Sequence, residues 1–184
     1  MSFLDWPIET KQAARKPDVR RRRLGEGLVA SFALLFPQIT YTLNWDSQLI
    51  NAQAWRLGEQ RNVYLYGGLV RHPAITRAGL ALALAHETGH HLGGEPYDPV
   101  MTWMTSEKQS DHWAVVSCMP SLFGSRASSL TLRGALEIAA VDRGVRDGTG
   151  AQRDDTEENE RFVPFLSGVQ RLRALALEGS TWDH

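Results

Sequence analysis

The sequence predicts an α+β fold dominated by helices, with a short, mainly antiparallel sheet preceding a central helix. Three observations lead to this prediction. Residues 19–36 have the apolar spacing of a helix, three β-favouring segments follow, and residues 75–92 form an Ala- and Leu-rich stretch that ends at two glycines. The length of 184 residues and the hydrophobic content of 42% suit a single domain over residues 1–184. Segments 1–18 and 147–160 are expected to be mobile.

The first half of the chain supplies one helix and the sheet. The helix is expected from Val19 to Phe36, because Pro37 disfavours its continuation. The strands are expected in "QITYTLNW", "NAQAWRL" and "NVYLYGG", where apolar and polar residues alternate, and the turn-like "GEQR" separates the last two.

The second half is predicted to be helical. The central helix runs from Ile75 to Leu92, and Gly93 and Gly94 favour its termination. A capping box in "SEKQ", residues 106–109, predicts a further helix from Glu107 to about Cys118 that ends at Pro120. Two more helices are expected near residues 129–141 and 161–177.

Composition excludes several function classes. The formal net charge of −1 gives no general attraction to nucleic acid, and no apolar stretch reaches the roughly 20 residues of a transmembrane helix. The basic run at residues 20–23 and the acidic run at residues 154–160 are interpreted as solvated surface. Cys118 is the only cysteine, which rules out an intrachain disulfide and a thiolate-rich zinc site.

The basic run precedes "LGEGLVASFALLF" and resembles a twin-arginine export signal. Glu26 interrupts the apolar region, however, and no A-x-A cleavage site follows. We therefore interpret this segment as a helix of the mature protein and expect a cytoplasmic location, with export through an atypical N-terminal signal as the alternative.

The stretch "LAHETGHHLGG" contains the pattern H-E-x-x-H at residues 86–90. His86 and His90 are four residues apart, so both imidazoles lie on one helical face and can bind one Zn²⁺ ion. Glu87 lies about 100° around the helix, a position suited to a general base rather than a ligand. His91 points away from His90 and is not expected to bind the metal.

A third ligand has to come from elsewhere, since a catalytic zinc site usually has three protein ligands. The metzincin pattern would require a histidine at Pro96, so that pattern fails. We favour Glu107, with Asp111 one turn later accepting a hydrogen bond from a ligating imidazole. Four other side chains could reach the metal in principle: His72, Glu95, Asp98 and His112.

The pattern H-E-x-x-H followed by E-x-x-x-D resembles the gluzincin zinc metallopeptidases, which implies a zincin-like fold with His86, Glu87, His90 and Glu107 in the family roles. Residues 51–94 are similar to the corresponding region of the CAAX prenyl protease and HtpX type. The chain looks like a soluble relative of these proteins, since their membrane helices are absent. Their downstream "HP" with an arginine is also absent, and Arg143, Arg153 and Arg161 are alternative candidates for stabilising an oxyanion.

A second resemblance points to a soluble protease. "SEKQSDHWAVVSCMP" is similar to the metal-site helix of the ImmA/IrrE-type intracellular proteases. Both resemblances imply the same ligands and base, but they imply different substrates.

Several further side chains are candidates for binding a substrate. In the first family, an extended peptide pairs with the strand that corresponds to residues 51–57, which implies roles for Asn51, Ala52 and Gln53. Tyr97 and Trp103 occupy the loop between the two metal helices and must border the cleft, and His112 could face it. The remaining tryptophans Trp45, Trp55 and Trp113 are expected to be core residues.

The leading functional hypothesis is a zinc-dependent metallopeptidase with one Zn²⁺ ion and a peptide or protein substrate. One alternative is a zinc hydrolase that acts on a small amide. The other is an inactive zinc-binding interaction protein, against which Glu87 argues because a structural zinc site does not need that carboxylate.

Overall fold

The computed structural model describes residues 18–149, with side chains described as far as residue 141. The helices are α1 (Val19–Leu35), α2 (Gly67–Arg71), α3 (Arg77–Leu92), α4 (Glu107–Trp113), α5 (Met119–Phe123) and α6 (Ala127–Thr149). The strands are β1 (Ile39–Asn44), β2 (Ala52–Leu57) and β3 (Gln60–Tyr66). The predicted helix-rich α+β class is therefore confirmed. Within the described part of the chain, no helix is long and apolar enough to cross a membrane.

The three strands form one sheet in the order β1-β3-β2. Strands β2 and β3 are an antiparallel hairpin whose turn begins at Gly58, where φ is +56°, a conformation that favours glycine. Strand β1 runs parallel to β3. The prediction of a mainly antiparallel sheet is thus correct for the hairpin and wrong for β1. The reason is topological: β3 folds back from β2 into the position beside β1, so that it points in the same direction as β1.

Helix α3 lies at the centre of the core. It begins at Arg77 rather than Ile75, because the Thr76 side chain accepts a hydrogen bond from the amide of Ala78 and caps it. All residues from Ala78 to His90 are buried. This helix contacts the sheet and α1 as well as α4 and α6. Its apolar residues therefore face neighbours on all sides, as expected of a helix surrounded by the core.

Small residues on α3 allow its neighbours to approach closely. A Cβ atom at Gly89 would lie 2.5 Å from Ser110 Oγ and 2.8 Å from the Ser110 carbonyl oxygen of α4. A Cβ atom at Gly79 would lie 2.9 Å from Glu137 Oε2 of α6. The glycine inside the H-E-x-x-H pattern therefore lets α4, which carries Glu107, pack against the helix that carries the two histidines.

Two predictions about the helices after α3 are wrong. Ser106 makes no side-chain capping bond, and Gln109 Nε2 instead donates to the carbonyl of Gly93 at 2.9 Å, so there is no capping box. The helix does not end at Pro120 either. A π-helical segment, Ala114–Cys118, continues into α5, where Pro120 lies in the first turn and its missing amide hydrogen costs little.

The remaining expectations are met in part. The basic run at residues 20–23 lies in the first turns of α1, which agrees with its interpretation as a helix. Helix α6 extends the helix predicted near residues 129–141 and includes residues 147–149.

Some predictions lie outside the described residues. They concern segments 1–17 and 150–160, the helix at 161–177, Arg153, Arg161 and the side chain of Arg143. Trp45 and Trp113 are partly buried against the core, and Trp55 packs edge-on against Tyr64.

Candidate metal centre

His86 and His90 lie on the same face of α3 near its C-terminal end. Their rings are 4.6 Å apart between centroids and nearly perpendicular, at 86°. Each side chain is only 1% exposed. Two imidazoles fixed this close together in the core can bind a single ion between them.

Glu107, the first residue of α4, completes the group. Its Oε2 atom lies 3.1 Å from His86 Nε2, and its Oε1 atom lies 3.6 Å from His90 Nε2. One ligand atom from each of the three residues can be chosen so that all lie within 4.8 Å of one another. These residues are close enough to bind one metal ion. Among the described residues, no other such cluster of His, Cys, Asp and Glu occurs.

The other candidate ligands lie outside this cluster. Asp98 is engaged in its own loop, where Oδ1 accepts the amides of Val100 and Met101. His72 Nδ1 accepts the amide of Ala74 at the end of α2. Glu95 is an exposed loop residue, and His112 is half-buried on α4.

Each histidine is oriented by a hydrogen bond at its other ring nitrogen. His86 Nδ1 donates to Asp111 Oδ1 at 2.6 Å, and His90 Nδ1 donates to the Thr105 carbonyl oxygen at 2.8 Å. Both partners accept hydrogen bonds, so each imidazole in its neutral form carries its proton on Nδ1 and has an Nε2 lone pair that can bind a metal. The carboxylate of Asp111 thereby fixes the orientation of the His86 ring.

The groups around His86 and His90 favour one positive charge on this pair of imidazoles. Burial alone lowers the pKa of His86, but the charges and hydrogen bonds of Asp111 and Glu107 outweigh it and raise that pKa to about 10. Burial and the neighbouring His86 lower the pKa of His90 to about 4. Carboxylates therefore surround the imidazoles with negative charge that a bound cation would balance.

Glu87 is fully buried beside the two histidines, with 0% exposure. Its Oε2 atom accepts the backbone amide of Ala54, whereas Oε1 has no hydrogen-bond partner within the described part of the chain. Burial is the main reason that its pKa rises to about 8, and the charge of His86 and the Ala54 amide only partly oppose it.

Strand β2 forms the edge of the described sheet next to Glu87. The Tyr66 amide donates to the Asn51 carbonyl, and the alternation of an antiparallel ladder then directs the amides of Ala52 and Ala54 away from β3. Both outward amides are already bonded within the chain, Ala52 to Asn51 Oδ1 and Ala54 to Glu87. Gln53 Oε1 accepts the Tyr66 hydroxyl at 2.9 Å.

The loop between α3 and α4 holds Tyr97 and Trp103. Tyr97 is 48% exposed and pairs with Thr105 in an isolated β-bridge. Trp103 stacks on His91, with 5.2 Å between ring centroids. His91 Nε2 in turn donates to the Asn62 carbonyl of β3 at 3.0 Å, so this histidine links the loop to the sheet and lies outside the metal-binding group.

Two contacts of the site were not identified from the sequence. The Thr105 carbonyl orients His90, and the Ala54 amide bonds the carboxylate of Glu87. Both are backbone groups, which every residue carries, so no residue type marks them.

When compared with models of known families, with curated proteins and with solved structures, the chain has no significant match. The functional interpretation therefore depends on the geometry of the site itself.

Proposed function

We propose that this protein is a zinc-dependent metallopeptidase in which His86, His90 and Glu107 hold one Zn²⁺ ion and Glu87 is the general base. The observation that carries the proposal is the position of Glu87. A buried carboxylate with one unpartnered oxygen, directly beside a His₂Glu group, is what metal-assisted hydrolysis requires and what a purely structural metal site does not.

The donor set fits zinc. Two neutral imidazoles and one carboxylate are a common three-ligand set for catalytic zinc, which leaves the fourth position open. Zinc, when bound there, would supply Lewis acidity that makes a water molecule more acidic and polarises a carbonyl group. Asp111 and the Thr105 carbonyl then act on the metal indirectly, by fixing the tautomer of each imidazole.

The protein itself contributes proton transfer. A cation held by His86, His90 and Glu107 would favour the ionised form of Glu87 despite its raised pKa, and Oε1 would then accept a proton from the attacking water and later give it to the leaving amine. The Ala54 amide holds the other oxygen, so the carboxylate cannot turn away. The resemblance to gluzincins of the CAAX prenyl protease and HtpX type and the second resemblance, to the ImmA/IrrE-type proteases, imply the same assignment of roles.

Hydrolysis of a small amide is the second candidate. It is favoured by the edge of β2, where the outward amides of Ala52 and Ala54 already have partners and offer a peptide no free donor. The same metal, ligands and base would serve this reaction.

Metal analysis and peptide hydrolysis together test the proposal. Full-length protein, stripped with chelator and reloaded, should bind one equivalent of zinc and cut an internally quenched peptide library. His86→Ala should lose the metal and the activity, whereas His72→Ala, which removes a half-buried histidine outside the cluster, should retain both. A wild-type protein that binds zinc and cuts no peptide but hydrolyses small amides would favour the second candidate. A protein that binds no zinc would overturn both.

A further inference from the structure

The hydroxyl group of Ser110 bonds the helix that carries Glu107 to the main chain of His86. Ser110 lies on α4 with 0% exposure, and its Oγ atom donates to the His86 carbonyl oxygen at 2.5 Å. Serines inside helices often bond a carbonyl of their own helix instead, as Ser31 does in α1 with the carbonyl of Gly27. The Ser110 hydroxyl therefore serves the contact between two helices.

The oxygen that accepts this bond also joins the two histidines. In an α-helix the carbonyl of one residue accepts the amide four residues later, so the His86 carbonyl accepts the amide of His90. A carbonyl oxygen has two lone pairs and can accept both hydrogen bonds. One main-chain oxygen thus links His86, His90 and Ser110.

Helices α3 and α4 pack in direct contact at this point. A Cβ atom on Gly89 would lie 2.5 Å from Ser110 Oγ and 3.0 Å from Ser110 Cα, so α4 lies on the bare backbone of α3. Contact with Gly89 limits how near Ser110 can come, and the bond to His86 holds it there. The two together define the position of Ser110 on α3.

The position of Ser110 sets the position of Glu107. Ser110 is three residues after Glu107, which places both on the same side of α4. The start of α4 has no side-chain cap, since Ser106 makes no capping bond. Glu107 Oε2 nonetheless lies 3.1 Å from His86 Nε2. Because one turn of helix is rigid, a bond that holds Ser110 against the His86 main chain also determines how closely the Glu107 carboxylate approaches the imidazole.

Asp111, the next residue, acts on His86 in a different way. Its carboxylate accepts from His86 Nδ1 and so orients the ring, whereas Ser110 bonds the main chain. A ring can rotate about its side-chain bonds, but a carbonyl group inside a helix moves only with the helix. The Asp111 bond therefore orients one ligand, and the Ser110 bond fixes one helix against the other.

We propose that Ser110 is a positioning residue of the metal centre, whose hydroxyl holds α4 against the His86 main chain so that Glu107 meets the same ion as the two imidazoles. The inference rests on the proposed function for the metal and its three ligands. It adds the residue that brings the third ligand to the other two.

The metal affinity of Ser110→Ala tests this role. Full-length wild-type and variant proteins, stripped with chelator, are titrated with Zn²⁺ in competition with a fluorescent chelator, and the Co²⁺-loaded proteins are compared by visible absorption. We expect zinc to bind about tenfold more weakly to the variant, which is the lower end of the effect of residues that support metal ligands. The Co²⁺ absorption should also change, because it depends on coordination geometry.

Tyr41→Phe is the matched control, since it removes another buried hydroxyl that bonds the same stretch of α3. The Tyr41 hydroxyl bonds Thr88 Oγ1 at 2.8 Å, but Tyr41 belongs to β1 and not to the helix of Glu107. The Tm of both metal-free variants should fall by similar amounts, because each loses one buried hydrogen bond. Zinc affinity and the Co²⁺ spectrum of Tyr41→Phe should equal those of the wild type.

The outcomes separate this inference from the proposed function. Equal zinc affinity of Ser110→Ala and wild type would overturn the role of Ser110, even if the wild-type protein cuts peptides. Equal losses of affinity in Ser110→Ala and Tyr41→Phe would overturn it too, since any loosening of α3 would then weaken the site. Weaker binding by Ser110→Ala alone would support the role, including in a wild-type protein that binds zinc and cuts no peptide, a result that counts against the peptidase.

Discussion

Two carboxylates at opposite ends of α3, one fully and one partly buried, have opposite surroundings. Glu137, from α6, accepts hydrogen bonds from the Thr76 amide, the Thr76 hydroxyl, the Gly79 amide and the Arg133 guanidinium, at 2.6 to 3.0 Å. Although burial opposes its ionisation, these donors outweigh burial and lower the pKa of Glu137. Glu87 is more deeply buried, has one donor in the described part of the chain, and has a pKa raised to about 8.

Under the proposed function, Glu137 is a structural carboxylate and Glu87 a reactive one. Glu137 satisfies amides at the N-terminus of α3 and thereby fastens α6 to the central helix. Glu87 has few hydrogen-bond partners in the core, and an unpartnered buried oxygen lowers the stability of the fold. Such an oxygen is typical of a site where a bound molecule interacts with it. The two carboxylates differ both in burial, which is deeper at Glu87, and in the number of hydrogen-bond donors, which is larger at Glu137.

The largest expected effect is on catalysis. Glu87→Gln should lower kcat roughly 10²- to 10⁴-fold, because the amide cannot accept the proton, while zinc content stays at the wild-type value. Glu137→Gln is the matched substitution at the other end of α3 and should leave kcat within a few-fold of wild type. The measurement is steady-state hydrolysis of a quenched peptide together with metal analysis. Equal losses in the two variants would erase the proposed distinction between the carboxylates.

The next effect concerns the metal. Asp111→Asn should weaken zinc binding about 10- to 100-fold, because the amide no longer stabilises the proton on His86 Nδ1 as a carboxylate does. Competition with a fluorescent zinc chelator gives the affinity. Asp46→Asn, which changes an exposed aspartate, serves as control. An affinity for Asp111→Asn equal to that of wild type would mean that this carboxylate does not support the metal ligand.

The free energy of unfolding should fall more in Glu137→Gln than in Glu87→Gln, which is the reverse of the order expected for kcat. Glu137→Gln should lower the free energy of unfolding by about 1 to 3 kcal/mol, since Gln accepts fewer hydrogen bonds and leaves a buried donor unpaired. Glu87→Gln should cost less, because it removes a carboxylate that has few partners to lose. Urea denaturation of the metal-free proteins measures both. A larger cost at position 87 than at position 137 would contradict the interpretation of Glu87 as the carboxylate that is not needed for folding.

The pairing of His86 and His90 could be predicted from helix periodicity, whereas Glu107 is preferred as the acidic residue that opens the next helix four residues before Asp111. A spacing of four residues fixes the two imidazoles on one face, and the acidic residue at the start of the next helix is close enough to join them. The role of Glu137 could not be predicted, since nothing near residue 137 indicates that its partners are Thr76 and Gly79, about 60 residues earlier.

The predictions for the direction of β1 and for the capping box at residues 106–109 were wrong because both features depend on long-range contacts. The direction of β1 depends on β3 folding back between two earlier strands, which no local pattern specifies. The capping box failed because the Ser106 amide donates to the Pro96 carbonyl, while Gln109 Nε2 donates to the Gly93 carbonyl at the end of α3. Local signals predicted α1, α3 and the start of α4, but not α2 or α5, and the partners of each polar group are a property of the fold.

The smallest expected effect is a pH dependence of stability at Glu137. Its pKa is lower in the folded protein than its usual value of 4.5, so the folded state binds the proton less readily than the unfolded state does. Its stabilising contribution is therefore complete above about pH 4.5 and is lost as the pH falls through the lower folded value. The difference in Tm between wild type and Glu137→Gln should thus be largest at neutral pH and shrink on acidification below 4.5, with Glu26→Gln, at an exposed glutamate, showing little difference at any pH. A difference in Tm that is constant from pH 7 to pH 3 would mean that the ionised carboxylate is not what fastens α6 to α3.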